Sequence, residues 1–294
     1  MAAFTFRAGG DGDRSGAPPG PSTAVVDLER RITGFTAGLS ARGGYRPPDR
    51  TERTAVADGV GLLLDGDRDG AARRLAEVGF QVRAFTDRAT GRPVAEVFDG
   101  ADSGDAIRGW GRVYVDLAAP VRWSVQVPHP AADLDTERLG TAVWRGTPGG
   151  VLVLAGAHRR AGQDGEADVA HRRDSVFHAV CAELVRRGLP GMQLHGFAND
   201  SAPDHEAIVS TGAGDAALPE ARVLARALRD REVEVCRAWA RSCSLEGRTN
   251  RQGRTAAESD VPFLHLEFNR DLRADGTGRA RLAAALSGTA ADWR

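Results

Sequence analysis

Lysine is absent from this chain: all 39 basic residues among its 294 are arginine. That excludes Schiff-base lysine chemistry, a P-loop lysine and a Ser–Lys dyad. Cysteine is scarce. Cys181, Cys236 and Cys243 form no C-x-x-C, and their number is odd. A disulfide framework is therefore not expected; a single Cys236–Cys243 bridge stays open, and packing as small apolar residues is the favoured role. Charge of one sign is not in excess, since the formal net charge is -1. Neither nucleic acid nor an anionic membrane is an expected partner. No run approaches the ~18 apolar residues of a membrane helix. The opening stretch MAAFTFRAGGDGDRSG lacks the apolar segment of a secretory signal. A soluble, cytoplasmic protein is expected. No G-x-S-x-G elbow occurs, which disfavours a serine esterase.

What is present reads as an α/β chain. Residues 1–50 read as a flexible leader around AGGDGDRSGAPPGPS, with a short helix near its end. Residues 51–294 read as a single domain. Two helices open it, followed by a hairpin turning at DRATGRP and by strands RVYVDL and VRWSVQV. Apolar strands then alternate with amphipathic helices: GVLVLAGA, DSVFHAVCAELVRRG, GMQLHGF, EAIVST, PEARVLARALRDR, FLHLEF and GRARLAAALSG. That alternation predicts a mixed, mostly parallel central sheet flanked by helices. In such sheets the site lies at the carboxyl ends of strands.

Chemistry-bearing residues collect at those ends. SVQVPHPAAD delivers His129 between Pro128 and Pro130, then Asp133, with Glu137 further on. Histidine also follows strands at His158-Arg159 and His195-Gly196, and FLHLEF carries His265 and Glu267. A hydrolytic zinc site needs three N or O ligands, an open position and a nearby carboxylate. His129, Asp133, His195 and Glu267 supply that set. Plainer roles compete: His129 ends a strand that Pro128 stops, His195 sits in an apolar strand, and Asp135 is the expected N-cap of a helix through TERLGTAVW. Glu267 is the most informative, because a carboxylate facing inward from a buried strand is costly without a partner. His178 reads as structural, and His171 as a residue that orients the site. Arg159 and the loop LEGRTNRQGR, with Asn250 and Arg251, are candidates for binding a carboxylate.

The order of these motifs, ending in QLHGF, TNRQGR and HLEFNRDLR, resembles the zinc carboxypeptidase-like hydrolases of phosphorylase/hydrolase-type fold. Phage poly-γ-glutamate hydrolases and N-formylglutamate amidohydrolases are the nearest in motif. The resemblance spans roughly residues 121–275. It implies zinc ligands His129, Asp133 and His195, Glu267 as general base, and Asn250 and Arg251 as holders of a substrate carboxylate. Asp133 stands one residue closer to the histidine than the phage enzymes' glutamate, so Glu137 is a rival ligand. The only tyrosines, Tyr45 and Tyr114, both precede the motifs, so a mobile carboxypeptidase tyrosine has no matching position. The expected function is zinc-dependent hydrolysis of an amide or peptide bond in a small-molecule or peptide substrate that bears a carboxylate. The alternative is an inactive hydrolase scaffold that binds an anionic ligand.

Overall fold

The computed structural model describes residues 24–101 and 108–293. Ten strands are hydrogen-bonded into one sheet: β1 (Val25–Val26), β2 (Phe80–Asp87), β3 (Pro93–Asp99), β4 (Arg112–Asp116), β5 (Trp123–Val127), β6 (Gly150–Leu154), β7 (Gly191–Phe197), β8 (Ala207–Ser210), β9 (Val235–Arg237) and β10 (Phe263–Asn269). Their spatial order is β1-β2-β3-β4-β6-β5-β7-β10-β8-β9. The run β6-β5-β7-β10 at the centre is wholly parallel. The hairpin β2–β3 and its neighbour β4 extend one side antiparallel. This is the mixed, mostly parallel α/β sheet that the alternation predicts.

Side-chain alternation divides the central strands into two faces. Val125, Val127, Met192, Leu194, Leu264, Leu266 and Phe268 enter the larger apolar core. That face packs against α4 (Thr136–Gly146), α6 (Leu218–Arg229) and α9 (Gly276–Asp292). The opposite face meets α5 (Val176–Arg186) and α7 (Arg251–Glu258). There the three middle strands carry Gln126, Gln193, His195, His265 and Glu267, all buried. A parallel sheet covered on both faces ordinarily reads as continuous apolar sequence. A buried polar stripe on such strands is therefore the informative departure.

Three expectations need correction. The part of the leader from residue 24 onward is not leader. β1 pairs with β2, and Leu28 and Ile32 of α1 (Leu28–Thr36) are fully buried in the main core. Their i, i+4 spacing puts both on one helix face. Residues 1–23 of the expected leader lie outside the described residues. The loop LEGRTNRQGR turns into a helix at Arg251, because the Asn250 side chain caps α7 by accepting from Gly253 N–H at 2.9 Å. Finally, Cys236 and Cys243 form a disulfide, and only Cys181 is a free buried thiol. Bridges of this kind persist in oxidising compartments, in tension with the cytoplasmic expectation. Titration of the denatured chain with a thiol reagent should find one thiol before reduction and three after; three throughout would show the bridge absent. No helix among the described residues is long and apolar enough to cross a membrane.

Candidate metal centre

The site grows from the end of β5. Backbone N–H groups of Ala132 and Asp133 donate to the His129 carbonyl at 3.1 and 2.8 Å. This single tight turn folds the Asp133 carboxylate back over the His129 ring. Asp133 Oδ2 then lies 3.3 Å from His129 Nδ1 and 3.6 Å from His195 Nδ1, and accepts from Gly196 N–H at 3.2 Å. One donor atom from each of His129, Asp133 and His195 lies within 4.8 Å of the others, and all three residues are buried. Ligands at ~2.1 Å from a shared ion stand roughly 3–3.5 Å apart. This nitrogen–oxygen set therefore fits a divalent cation such as zinc. Burial works against the Asp133 carboxylate, yet the imidazoles of His129 and His195 beside it hold it well below the usual range.

Glu137 does not join this group. It faces inward from the first turn of α4, and its Oε2 has no hydrogen-bond partner. Burial, then the charge of Asp135, raises its carboxyl to about 7. Asp135 is not the expected side-chain cap. Its φ of 69° puts it in the left-handed region, with no capping bond. Its carboxylate pairs instead with Arg270 at 2.6 Å and Arg138 at 3.1 Å.

Glu267 stands directly across from His195 in the β7–β10 register, as His265 does from Gln193. Burial raises Glu267 well above the carboxylate range, and Asp133 adds to this. Arg273 and Arg159 act in the opposite direction without overcoming it. His265 stacks on His195 at 4.5 Å between centroids, and its buried Nδ1 has no hydrogen-bond partner. Two glycines make room here. A Cβ on Gly247 (φ 69°) would stand 2.2 Å from the His265 ring, and one on Gly196 2.2 Å from Arg273 Cζ. The Arg273 guanidinium is buried under Gly196, where it donates to the carbonyls of Phe268, Phe197 and Leu134.

Asp168 is the residue that the sequence reading lacked. It lies in no strand-end motif, 39 residues beyond His129. Its Oδ1 accepts from His129 Nε2 at 2.8 Å and His171 Nδ1 at 3.1 Å, and its Oδ2 accepts from Arg159 at 2.5 Å. A carboxylate on the far nitrogen of a ligand histidine fixes ring orientation and tautomer. Asp168→Ala should therefore lower zinc affinity ~10–100-fold, as measured by competition with a chromophoric chelator. An unchanged affinity would remove Asp168 from the site. The sequence offered only one hint: Asp168 precedes His171, the histidine read as orienting the site, by three residues.

The proposed carboxylate holders are placed unequally. Arg159 is partly exposed beside Asp168, and its charge reaches His129, His195 and Glu267. Arg251 Nε donates to the His171 carbonyl at 3.2 Å. Asn250 is 1% exposed. Its oxygen caps α7 and its nitrogen donates to Gln193, so its side chain meets the site through Gln193. His178 is buried against Gln252, and burial lowers it to about 4, in keeping with a structural role.

No family model matches the sequence, and no curated protein matches it. Among solved structures the chain is similar to an N-formylglutamate amidohydrolase from Ralstonia eutropha, at 16% identity over 59% of this chain and 93% of that one, with a TM-score of 0.40. It is similar to a candidate carboxypeptidase from Burkholderia mallei, at 15% identity over 78% of this chain and 66% of that one, TM-score 0.38. LapA from Legionella is a third, at 12% identity over 90% and 72%, TM-score 0.39. The chain is an α/β protein with a mixed, mostly parallel sheet flanked by helices.

Proposed function

We propose that this protein is a zinc-dependent amidohydrolase or peptidase that cleaves an amide bond in a carboxylate-bearing substrate. One observation carries the reading: His129, Asp133 and His195 converge within 4.8 Å in a buried pocket of donors, and Glu267 lies across the β7–β10 ladder from His195. His129, Asp133 and His195 would hold the ion. A zinc ion bound there supplies Lewis acidity toward an amide carbonyl and lowers the pKa of water to about 7.

The chain's own groups do the rest. Burial raises the Glu267 carboxyl above the ordinary carboxylate range, the direction expected of a group that exchanges protons with a reacting water. It takes a proton from the attacking water and returns it to the leaving nitrogen. Asp168 holds the His129 ring through Nε2. Arg159, tethered by Asp168 yet partly exposed, offers its remaining donors to the substrate carboxylate.

Metal analysis of purified protein tests the reading. About one zinc per chain is expected, lost to a chelator together with activity on a panel of glutamyl and acyl-amino-acid amides. A chain that binds no divalent metal, or that hydrolyses these amides equally well without one, would overturn it.

A further inference from the structure

The polar stripe beneath the centre contains four amides bonded to one another. Gln193 Oε1 accepts from His195 Nε2 at 2.7 Å and from Asn250 Nδ2. Gln193 Nε2 donates to Gln126 Oε1 at 3.1 Å and Gln252 Oε1 at 3.2 Å. All four amide residues are buried, with Gln193 fully so. Amide orientation is normally a matter of inference from the network. Here two backbone groups of unambiguous character decide it. Gly253 N–H can only donate, so the Asn250 oxygen faces it and the Asn250 nitrogen faces Gln193. The Val169 carbonyl can only accept, so the Gln252 nitrogen faces it at 3.0 Å and the Gln252 oxygen faces Gln193. From both ends, Gln193 must turn its oxygen toward His195.

We infer that this amide relay, anchored on the first turn of α7, makes Gln193 the positioning residue for His195. An oxygen at His195 Nε2 requires a proton on that nitrogen, which leaves the Nδ1 lone pair facing Asp133 Oδ2, 3.6 Å away. Asp168 does the same for His129 from the opposite side. Two ligand histidines are thereby held in the same tautomer by different chemistry, one by a carboxylate and one by a neutral amide. The neutral partner leaves the His195 ring no added negative charge. A further carboxylate there would add a third acid beside Asp133 and Glu267. The relay gives the α7 segment a direct hold on the centre, since Asn250 and Gln252 flank the start of that helix.

The inference as it bears on zinc rests on the proposed function, but its first test does not. In the metal-free protein at about pH 8, nitrogen-resolved NMR of the histidine rings should show His195 as the Nε2–H tautomer. A dominant Nδ1–H tautomer overturns the relay, whatever the protein does with zinc. In Gln193→Met, a near-isosteric change without hydrogen bonds, the tautomers should mix and zinc affinity should fall ~10–100-fold. Asn250→Asp keeps the cap oxygen but removes the donor to Gln193; it should shift the His195 Nε2 resonance while leaving the fold intact. Gln193→Glu keeps an acceptor at His195 and should restore the Nε2–H tautomer. If Gln193→Met and Asn250→Asp both leave the His195 ring signals as in the parent, the relay is wrong. If the tautomer is as expected and no zinc binds, the relay stands and the hydrolase reading fails.

Discussion

Glu267→Gln is expected to fold, to bind zinc as the parent does, and to hydrolyse its amide substrate ~10²–10⁴-fold more slowly. Glutamine keeps the shape of the side chain but cannot take a proton. Glu267 lies outside the His129–Asp133–His195 group but forms with His195 and His265 a second buried set whose donor atoms lie within 4.8 Å, so retention of zinc by the variant also shows that the first set holds the ion. The apo variant also has a stability signature. The folded chain keeps a proton on Glu267 that the unfolded chain releases near the ordinary glutamate pKa of about 4.3. The associated stability is complete below that pH and is lost as pH rises toward the raised folded value. Glutamine removes this loss, so denaturant melts of the metal-free variant should exceed those of the parent above neutrality and match them near pH 4. A Glu267→Gln enzyme that remains fully active on a substrate whose turnover needs zinc would end the general-base assignment. Loss of zinc with loss of activity would make Glu267 a ligand instead.

Asp133→Ala and Glu137→Gln should separate in opposite directions. Removing Asp133 takes away the oxygen that stands 3.3 Å and 3.6 Å from the two imidazoles. Zinc affinity should fall by more than the ~10–100-fold typical of an orienting partner. Glu137→Gln should leave zinc affinity unchanged, because the side chain belongs to the α4 interior and its Oε2 is unpartnered there. Its effect is on stability. Burial raises this carboxyl to about 7 from an ordinary value near 4.3. The folded form therefore loses stability as pH rises across that window, up to a ceiling of ~4 kcal/mol at 1.36 kcal/mol per pKa unit. Glu137→Gln should recover part of that by about pH 8 and nothing near pH 4. The reverse outcome, zinc lost from Glu137→Gln and kept by Asp133→Ala, would exchange the two acids while leaving the chemistry intact.

Period-two alternation in FLHLEF was enough to place His265 and Glu267 on the non-apolar face of their strand, because side-chain direction in a strand is a local property. The alternation of strands and helices likewise determined the α/β class. Local geometry also put Asp133 within a turn of His129. The tertiary structure decided what depends on approach between distant segments. Asp168 reaches His129 across 39 residues, and no periodicity announces such a contact. Gln193 and Asn250 become partners only when α7 packs on the sheet, which turned a candidate carboxylate holder in a polar loop into a buried amide. Whether Cys236 and Cys243 could bridge depended on a Cα separation of 6.2 Å, a length that spacing alone does not give. The choice between Asp133 and Glu137 rested on which way the chain turned after Pro130: the turn on the His129 carbonyl carries Asp133 over the ring, and the helix that follows carries Glu137 away into its own core.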